Sequence, residues 1–187
     1  RIPVRMECYD ISNIQGTSSV GSMVVFDNGK PRPKHYRRFK IRTVDKTDDY
    51  AMMKEMLKRR FRHISADLAK KNYSEPITME KPSNNRSDVV WGLVPDLVLI
   101  DGGKGHLNAA AEVFLELGIY DIPLASIAKQ NEEIFVKGTQ ESVMLPRNSP
   151  ALFMVQRLRD EAHRYAITYH RLNRSKKAIK SILDDIP

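Results

Sequence analysis

A chain of 187 residues with 41% apolar residues can bury one complete core, and no stretch of it has the pattern of a membrane span or a signal sequence. Lys and Arg exceed Asp and Glu by 31 to 23, and the net charge of +8 favours a polyanionic partner over a neutral metabolite. The single cysteine, Cys8, excludes an internal disulfide framework, fits a reducing cytoplasmic location and, inside an apolar strand, favours packing over nucleophilic chemistry. Because Arg1 leads directly into a strand pattern, we expect one domain that is a fragment of a longer protein.

The first part of the chain has the pattern of three strands. Residues 4–11 and 20–26 predict the first two, and Asp27-Asn28-Gly29-Lys30 is typical of a two-residue hairpin turn. In the third strand, predicted over residues 35–43, Phe39 and Ile41 alternate with polar residues. This alternation predicts an exposed basic stripe, which consists of Tyr36, Arg38, Lys40 and Arg42.

A helix is predicted to begin at Asp48 or Asp49, either of which can cap it. Its buried face is predicted to carry Met53, Met56, Leu57, Arg60 and Phe61. Residues 65–92 lose this periodicity and collect Ser, Pro and Asn, so we expect a long surface insertion there.

The segment from Pro95 to His106 is the most informative one. Its central run, Leu97-Val98-Leu99-Ile100, predicts a strand buried on both faces that ends at Asp101. Ligands gather beyond the carboxyl ends of such strands, and the glycines that follow let backbone approach a ligand closely, so Asp101 is a candidate metal or phosphate site. The alternative is that Asp101 caps the next helix.

The remaining elements are a helix over residues 106–117 ended by Gly118, strands over 124–128 and 133–136, the second at an edge, and a long helix that begins at Ser149-Pro150. The apolar stripe of the long helix is predicted to consist of Leu152, Val155, Leu158, Ala162, Ala166 and Tyr169. His163 lies at the edge of this stripe, where it is either a packed residue with a satisfied hydrogen bond or a ligand.

One hypothesis accounts for three polar residues together: Asp10 at the end of the first strand, Asp101 and His163. Carboxylates at adjacent strand ends repel one another unless a cation lies between them, so the pair predicts a divalent metal, with Mn²⁺ or Mg²⁺ as the ion. Asp160, Glu161 or a backbone carbonyl is the expected acceptor that orients the His163 ring. Metals near a basic surface predict phosphodiester hydrolysis.

Two basic clusters, at residues 30–42 and 157–180, are either solvated faces or phosphate contacts. That there are two, one of them with an aromatic residue, favours phosphate contact. The predicted DNA-binding residues are Arg38, Lys40, Arg42, Lys104, Arg159, Arg164 and Arg171.

Several blocks of the sequence resemble the C-terminal endonuclease domain of UvrC, the nuclease subunit of the bacterial UvrABC excinuclease. The most specific are Asp-Gly-Gly-Lys-Gly at 101–105 and Arg-Asp-Glu-Ala-His at 159–163; the others lie at 7–12, 25–27, 48–50 and 146–152. The match covers nearly the whole chain. The sequence departs from the family pattern in two places. Many relatives have glutamine where this chain has His106, so an extra metal ligand or DNA contact stays open there. The insertion is longer than in many members, so a lid that varies within the family stays open as its role.

The resemblance implies an RNase H-like α/β fold, a mixed sheet flanked by helices, and the incision 5′ of a DNA lesion in nucleotide excision repair. It also implies an Asp-Asp-His metal site of the kind found in Argonaute nucleases, which falls on Asp10, Asp101 and His163. The implied partners are damaged double-stranded DNA and the UvrB subunit. The segment of family members that binds UvrB, the module that makes the 3′ cut and the helix-hairpin-helix motifs are expected to lie outside this sequence. No small-molecule cofactor and no membrane contact are expected.

Two other functions compete with this one. A P-loop NTPase is excluded because Lys104 is followed by Gly105-His106 rather than by the hydroxyl residue that holds magnesium. A non-catalytic DNA-binding module, whose acids are structural caps, stays open and predicts salt-dependent binding without metal-dependent cutting.

Overall fold

The structure is a computed structural model that describes residues 2–12, 19–42, 48–71 and 91–184, with the side chains of residue 63 and of residues 65–71 and 169–184 excluded. In chain order its main elements are β1 (Arg5–Ser12), β2 (Val20–Asp27), β3 (Lys30–Pro31), β4 (Arg37–Lys40), α1 (Asp49–Lys71), β5 (Leu97–Asp101), α2 (Lys104–Glu116), β6 (Leu124–Ala128), β7 (Glu133–Val136) and α3 (Pro150–Asp184). A short 3-10 helix at Pro33–His35 joins β3 to β4.

The strands form one mixed sheet in the order β3-β2-β1-β5-β6-β7, and β4 also pairs with β2. The central strands β1, β5 and β6 are parallel, whereas β2 and β7 run antiparallel to their neighbours. The predicted α/β class and the predicted edge position of β7 are confirmed.

Helices cover both faces of the sheet. Successive strand residues point to opposite faces, and on β2 a Cβ at Gly21 would meet Met56 of α1, whereas the Ser22 hydroxyl bonds to α3. Helix α2 lies on the α1 side, where the Phe61 and Phe114 rings are 4.8 Å apart. Because the central strands are covered on both sides, β5 is buried on both faces, as its apolar run predicts.

The predicted signals at helix ends and turns are confirmed. Asp48 caps α1, since the Ala51 N–H donates to its Oδ1 at 2.9 Å, and Ser149 caps α3, since its Oγ accepts from the Leu152 N–H at 3.2 Å. In the hairpin between β2 and β3, Asn28 and Gly29 have φ angles of 50° and 71°, as a type I′ turn requires.

Two expectations about the first half of the chain need correction. Helix α1 continues to Lys71, so the first part of the expected insertion at 65–92 is helical, and residues 72–90 lie outside the described residues. The third strand is shorter than predicted, and a 3-10 helix at Pro33–His35 separates β4 from the hairpin strand β3, although both pair with β2.

The exposed basic stripe is only half correct. Phe39 and Ile41 are buried as predicted, and Lys40 and Arg42 are exposed. Tyr36, however, is buried. Arg38, whose guanidinium lies 4.0 Å from the centroid of the Tyr165 ring, is half-buried. Both are on the face of the sheet that α3 covers.

A buried ion pair that the sequence analysis did not predict joins α1 to the sheet. Glu7 and Arg60 are both fully buried, with Arg60 Nη2 and Nε donating to the two Glu7 oxygens at 2.9 and 3.2 Å. Arg5 Nη2 donates to Glu7 at 3.0 Å, and so does the Tyr9 hydroxyl at 2.6 Å. Arg60 also donates to the carbonyls of Trp91 and Leu93. Each of the two Glu7 carboxylate oxygens thus accepts two hydrogen bonds.

Cys8 is fully buried, and burial raises the pKa of its thiol well above the ordinary value, which confirms its packing role. No helix within the described ranges is both long and apolar enough to cross a membrane.

Candidate metal centre

The sheet brings the two predicted carboxylates together. In the parallel pairing of β1 with β5, Tyr9 is opposite Ile100, so Asp10 and Asp101 follow at the same edge of the sheet. This is the edge at which the carboxyl ends of the parallel strands meet, where α/β proteins bind ligands.

Helix α3 supplies the third residue. One ligand atom from each of Asp10, Asp101 and His163 lies within 4.8 Å of the other two, and His163 Nδ1 is 3.5 Å from Asp10 Oδ2. Asp10 Oδ2 is buried and has no hydrogen-bond partner among the residues that the structure describes. Since buried oxygens are nearly always satisfied, an oxygen in this position fits a cation ligand.

The electrostatics of the site also favour a cation. Burial, followed by repulsion from Asp101, raises the pKa of Asp10 to about 7, and burial raises the pKa of Asp101. Both carboxylates therefore gain from a positive charge between them. Two carboxylates and an imidazole are ligands that Mn²⁺ accepts readily and Mg²⁺ tolerates.

The structure excludes one of the two alternatives left open for each of Asp101 and His163. Helix α2 begins after Gly103, and no side chain forms a capping hydrogen bond there, so Asp101 is not a helix cap. The His163 side chain is 51% exposed, which excludes a packed core histidine.

In the part of the chain that the structure describes, Asp160 and Glu161, the two acids predicted as acceptors for His163, bond to other groups. Asp160 accepts from Arg159 at 2.9 and 3.0 Å, and Glu161 accepts from the Tyr36 hydroxyl at 3.0 Å and from Arg164 at 2.6 Å. Hydrogen bonds from Arg164 hold the pKa of Glu161 below its ordinary value. Both acids are engaged by cations of their own helix, so the neighbour of the His163 ring is Asp10 itself.

Sequence reasoning predicted Arg159 as a DNA-binding residue and left the role of His106 open, but it did not give the contacts that these two residues make near the carboxylates. Arg159 is the charge that most lowers the pKa of Asp101, and its Nη1 donates to Glu132 at 2.9 Å in the turn between β6 and β7. His106 is outside the three-residue cluster that the described residues form, and its ring packs 4.8 Å from that of Tyr50. These contacts depend on tertiary packing between elements, which a local sequence pattern does not show.

The family model described as the UvrC RNase H endonuclease domain matches residues 1–167. This chain belongs to that family. The family match also confirms the RNase H-like fold.

Two curated proteins named UvrABC system protein C match the whole chain. The one from Methanosphaera stadtmanae is 50% identical over 187 residues, and the one from Moorella thermoacetica is 47% identical. The chain covers 29% and 27% of their lengths, so it spans less than a third of these UvrC relatives. Among solved structures, a variant of Endonuclease V from Ciona intestinalis in complex with inosine-containing DNA is similar, with a TM-score of 0.41 and 15% identity over 68% of this chain and 46% of that one.

The predicted DNA-binding residues of this UvrC domain fall into two groups. Lys40, Arg42 and Lys104 are exposed, and Lys104 Nζ donates to the Gln140 carbonyl at 3.3 Å. The others contact the protein, with Arg38 on Tyr165 and both Arg159 and Arg164 paired with acids. The side chain of Arg171 lies outside the described residues.

We expect Asp10 to contribute a loss of stability to the metal-free UvrC domain as the pH rises from about 4 to about 7, visible as a difference from the Asp10→Asn variant. The Asp10 carboxyl ionises near 3.8 when unfolded and near 7 when folded, so the folded chain binds more protons in this window. The resulting stabilisation is complete below pH 3.8 and is lost as the pH rises through 7. Urea unfolding at several pH values, without metal, measures this. Asp10→Asn should flatten the decline, and an unchanged slope in that variant would contradict the assignment.

Proposed function

We propose that this chain is a divalent-metal-dependent DNA endonuclease domain that makes the 5′ incision at damaged DNA in nucleotide excision repair. The convergence of Asp10, Asp101 and His163 at one edge of the sheet carries the proposal. The family assignment supports the repair setting, and UvrB is the proposed protein partner, through parts of the longer relatives outside this chain.

Asp10, Asp101 and His163 are the proposed ligands of Mg²⁺ or Mn²⁺. A metal ion held there supplies activation of water and stabilisation of charge on the phosphodiester oxygens. The two carboxylates provide the negative charge that retains a divalent cation, and His163 provides a nitrogen that binds metal only when the ring is neutral. The orphaned oxygen of Asp10 supports this assignment.

The DNA backbone is proposed to lie along the exposed cations near this edge. Lys40 is paired with Val20 and Arg38 with Ser22, so by strand alternation Lys40 points to the same face of the sheet as Asp10. A lysine on that face can contact phosphate without disturbing an internal ion pair. Arg38, Arg159 and Arg164 would have to exchange protein contacts for phosphate contacts, so we assign them smaller roles in binding.

We expect EDTA to abolish the 5′ incision by the full-length protein in the reconstituted UvrABC system, and Mn²⁺ or Mg²⁺ to restore it. Gel analysis of end-labelled damaged DNA measures both cuts. The alternative, a non-catalytic DNA-binding module, predicts salt-dependent DNA binding with no metal-dependent cut. Incision that survives EDTA, or that needs only zinc, would overturn the proposal.

We expect the double variant Lys40→Ala/Arg42→Ala to bind DNA more weakly, by a similar factor for every sequence. For each phosphate that the variant no longer neutralises, the slope of log affinity against log salt should fall by about 0.9. Fluorescence anisotropy over a series of salt concentrations measures this slope. The matched control is Lys54→Ala/Lys58→Ala, which removes the same charge from lysines on α1 that pair with Glu112 and Glu116 of α2. Equal slopes for the two double variants would show that Lys40 and Arg42 form only a solvated surface.

A further inference from the structure

A buried serine lies between the strand that carries Asp10 and the helix that carries His163. Ser22 is fully buried on β2, and its Oγ donates to the carbonyl of Ala162 at 3.2 Å. Ala162, also fully buried, directly precedes His163 in α3. The hydroxyl thus holds the helix backbone at the residue next to the candidate ligand.

The same serine is in register with the other ligand. In the antiparallel pairing of β1 with β2, Ser22 is opposite Asp10, and paired residues point to the same face of a sheet. Ser22 is therefore paired with Asp10 in the sheet and hydrogen-bonded to α3 at the residue before His163. The two ligands that it adjoins approach each other to 3.5 Å, between Asp10 Oδ2 and His163 Nδ1. Glu161 also ties α3 to another element, through the hydrogen bond from the Tyr36 hydroxyl at 3.0 Å, but Tyr36 lies just before β4 and is not opposite Asp10.

Helix geometry makes this contact sensitive to small movements. One residue of an α-helix corresponds to a rise of about 1.5 Å and, at about 3.6 residues per turn, to a rotation of about 100°. Helix α3 lies over the sheet with Leu158, Ala162 and Ala166 buried, and such apolar contacts are not directional, so they do not by themselves set a precise rotation or register of the helix. A directional hydrogen bond at Ala162 restrains both movements.

We propose that Ser22 is a positioning residue, whose hydroxyl fixes α3 so that His163 faces Asp10 in a geometry that binds a divalent metal ion. This inference rests on the metal site of the proposed function. It assigns no contact between Ser22 and the metal or the DNA.

The test measures Mn²⁺ affinity directly, without incision. In the full-length protein, electron paramagnetic resonance of free Mn²⁺ gives a dissociation constant, and the site that Asp101→Asn removes is the one compared. We expect Ser22→Ala to weaken this site about tenfold, the lower end of the range for groups that orient metal ligands. The metal concentration for half-maximal 5′ incision should rise by the same factor, while the 3′ incision is unchanged.

The matched control is Ser149→Ala, which also removes a serine hydroxyl that bonds to α3, but at its N-terminus and far from His163. We expect it to lower the melting temperature without changing the Mn²⁺ affinity. A metal affinity that falls equally in both variants would mean that general loosening of α3 is responsible, and would overturn the positioning role.

Ser22→Cys is the second variant, because it retains a side chain at the site but is a weaker donor. It should also bind Mn²⁺ more weakly than the wild type. Wild-type affinity in every folded Ser22 variant, or loss of the fold in both, would assign Ser22 to stability alone and overturn the inference. If the wild type has no Mn²⁺ site that depends on Asp101, the proposed function itself fails, and the inference fails with it.

Discussion

The His163→Ala variant of the full-length protein should lose the 5′ incision, by more than about 100-fold, because loss of a metal ligand should cost at least as much as loss of a group that orients one. Its melting temperature should stay close to that of the wild type, since the side chain is half exposed. Asp10→Asn and Asp101→Asn should lose the cut in the same way, because an amide keeps the shape of the carboxyl but not its charge. Assays of both incisions on damaged DNA, with thermal unfolding of each variant, provide the measurement.

His35→Ala is the matched control for this histidine. His35 lies in the 3-10 helix before β4, where its Nδ1 is 3.1 Å from Arg5 Nη1. It should retain the 5′ incision. The metal-ligand assignment would be wrong if the His163 variant still made the 5′ cut, or if it lost both cuts together with its thermal stability.

The Arg60→Met variant should unfold with a free energy about 3–5 kcal/mol lower than that of the wild type, because it leaves the buried Glu7 carboxylate without its main partner. Two carbonyls, of Trp91 and Leu93, also lose their donors. Urea unfolding of the 187-residue chain measures the change.

Arg59→Met provides the comparison on the same helix. Arg59 is one-third exposed, pairs with Glu55 at 3.3 Å and donates to the Lys40 carbonyl at 2.8 Å, so its loss should cost about 1–2 kcal/mol. The double variant Glu7→Met/Arg60→Met should regain part of the stability, since it removes both charges of the fully buried pair, while Arg5 keeps its ion pair with Asp27. Equal losses for Arg59→Met and Arg60→Met would show that the buried pair contributes nothing particular.

Much of the sheet and of the site follows from local patterns. An apolar run that ends in an acid predicts both a central strand and the place of Asp101, and parallel pairing with β1 then places Asp10 beside it. The helical period likewise predicts that Leu158 and Ala162 face the core and that His163 lies next to them. These features depend on alternation within one element and on a general property of α/β sheets.

Other features depend on which elements pack together, and local patterns do not contain that information. The alternation of residues along the strand places Tyr36 and Arg38 on the opposite face of the sheet from Phe39. It does not show that α3 covers the face on which Tyr36 and Arg38 lie. Arg60 is predicted on the buried face of α1, but its partner Glu7 is on a strand far away in sequence. The environment of Glu161 is likewise determined by a tyrosine from another element.

The proposed ligands are spread along the sequence, from β1 near one end of the chain through β5 to α3 near the other. During synthesis, the ribosome completes the strands with both carboxylates before it adds the histidine. On this assignment, a growing chain cannot bring the three ligands together until α3 has been added, so the metal site depends on the order of the elements as well as on their packing.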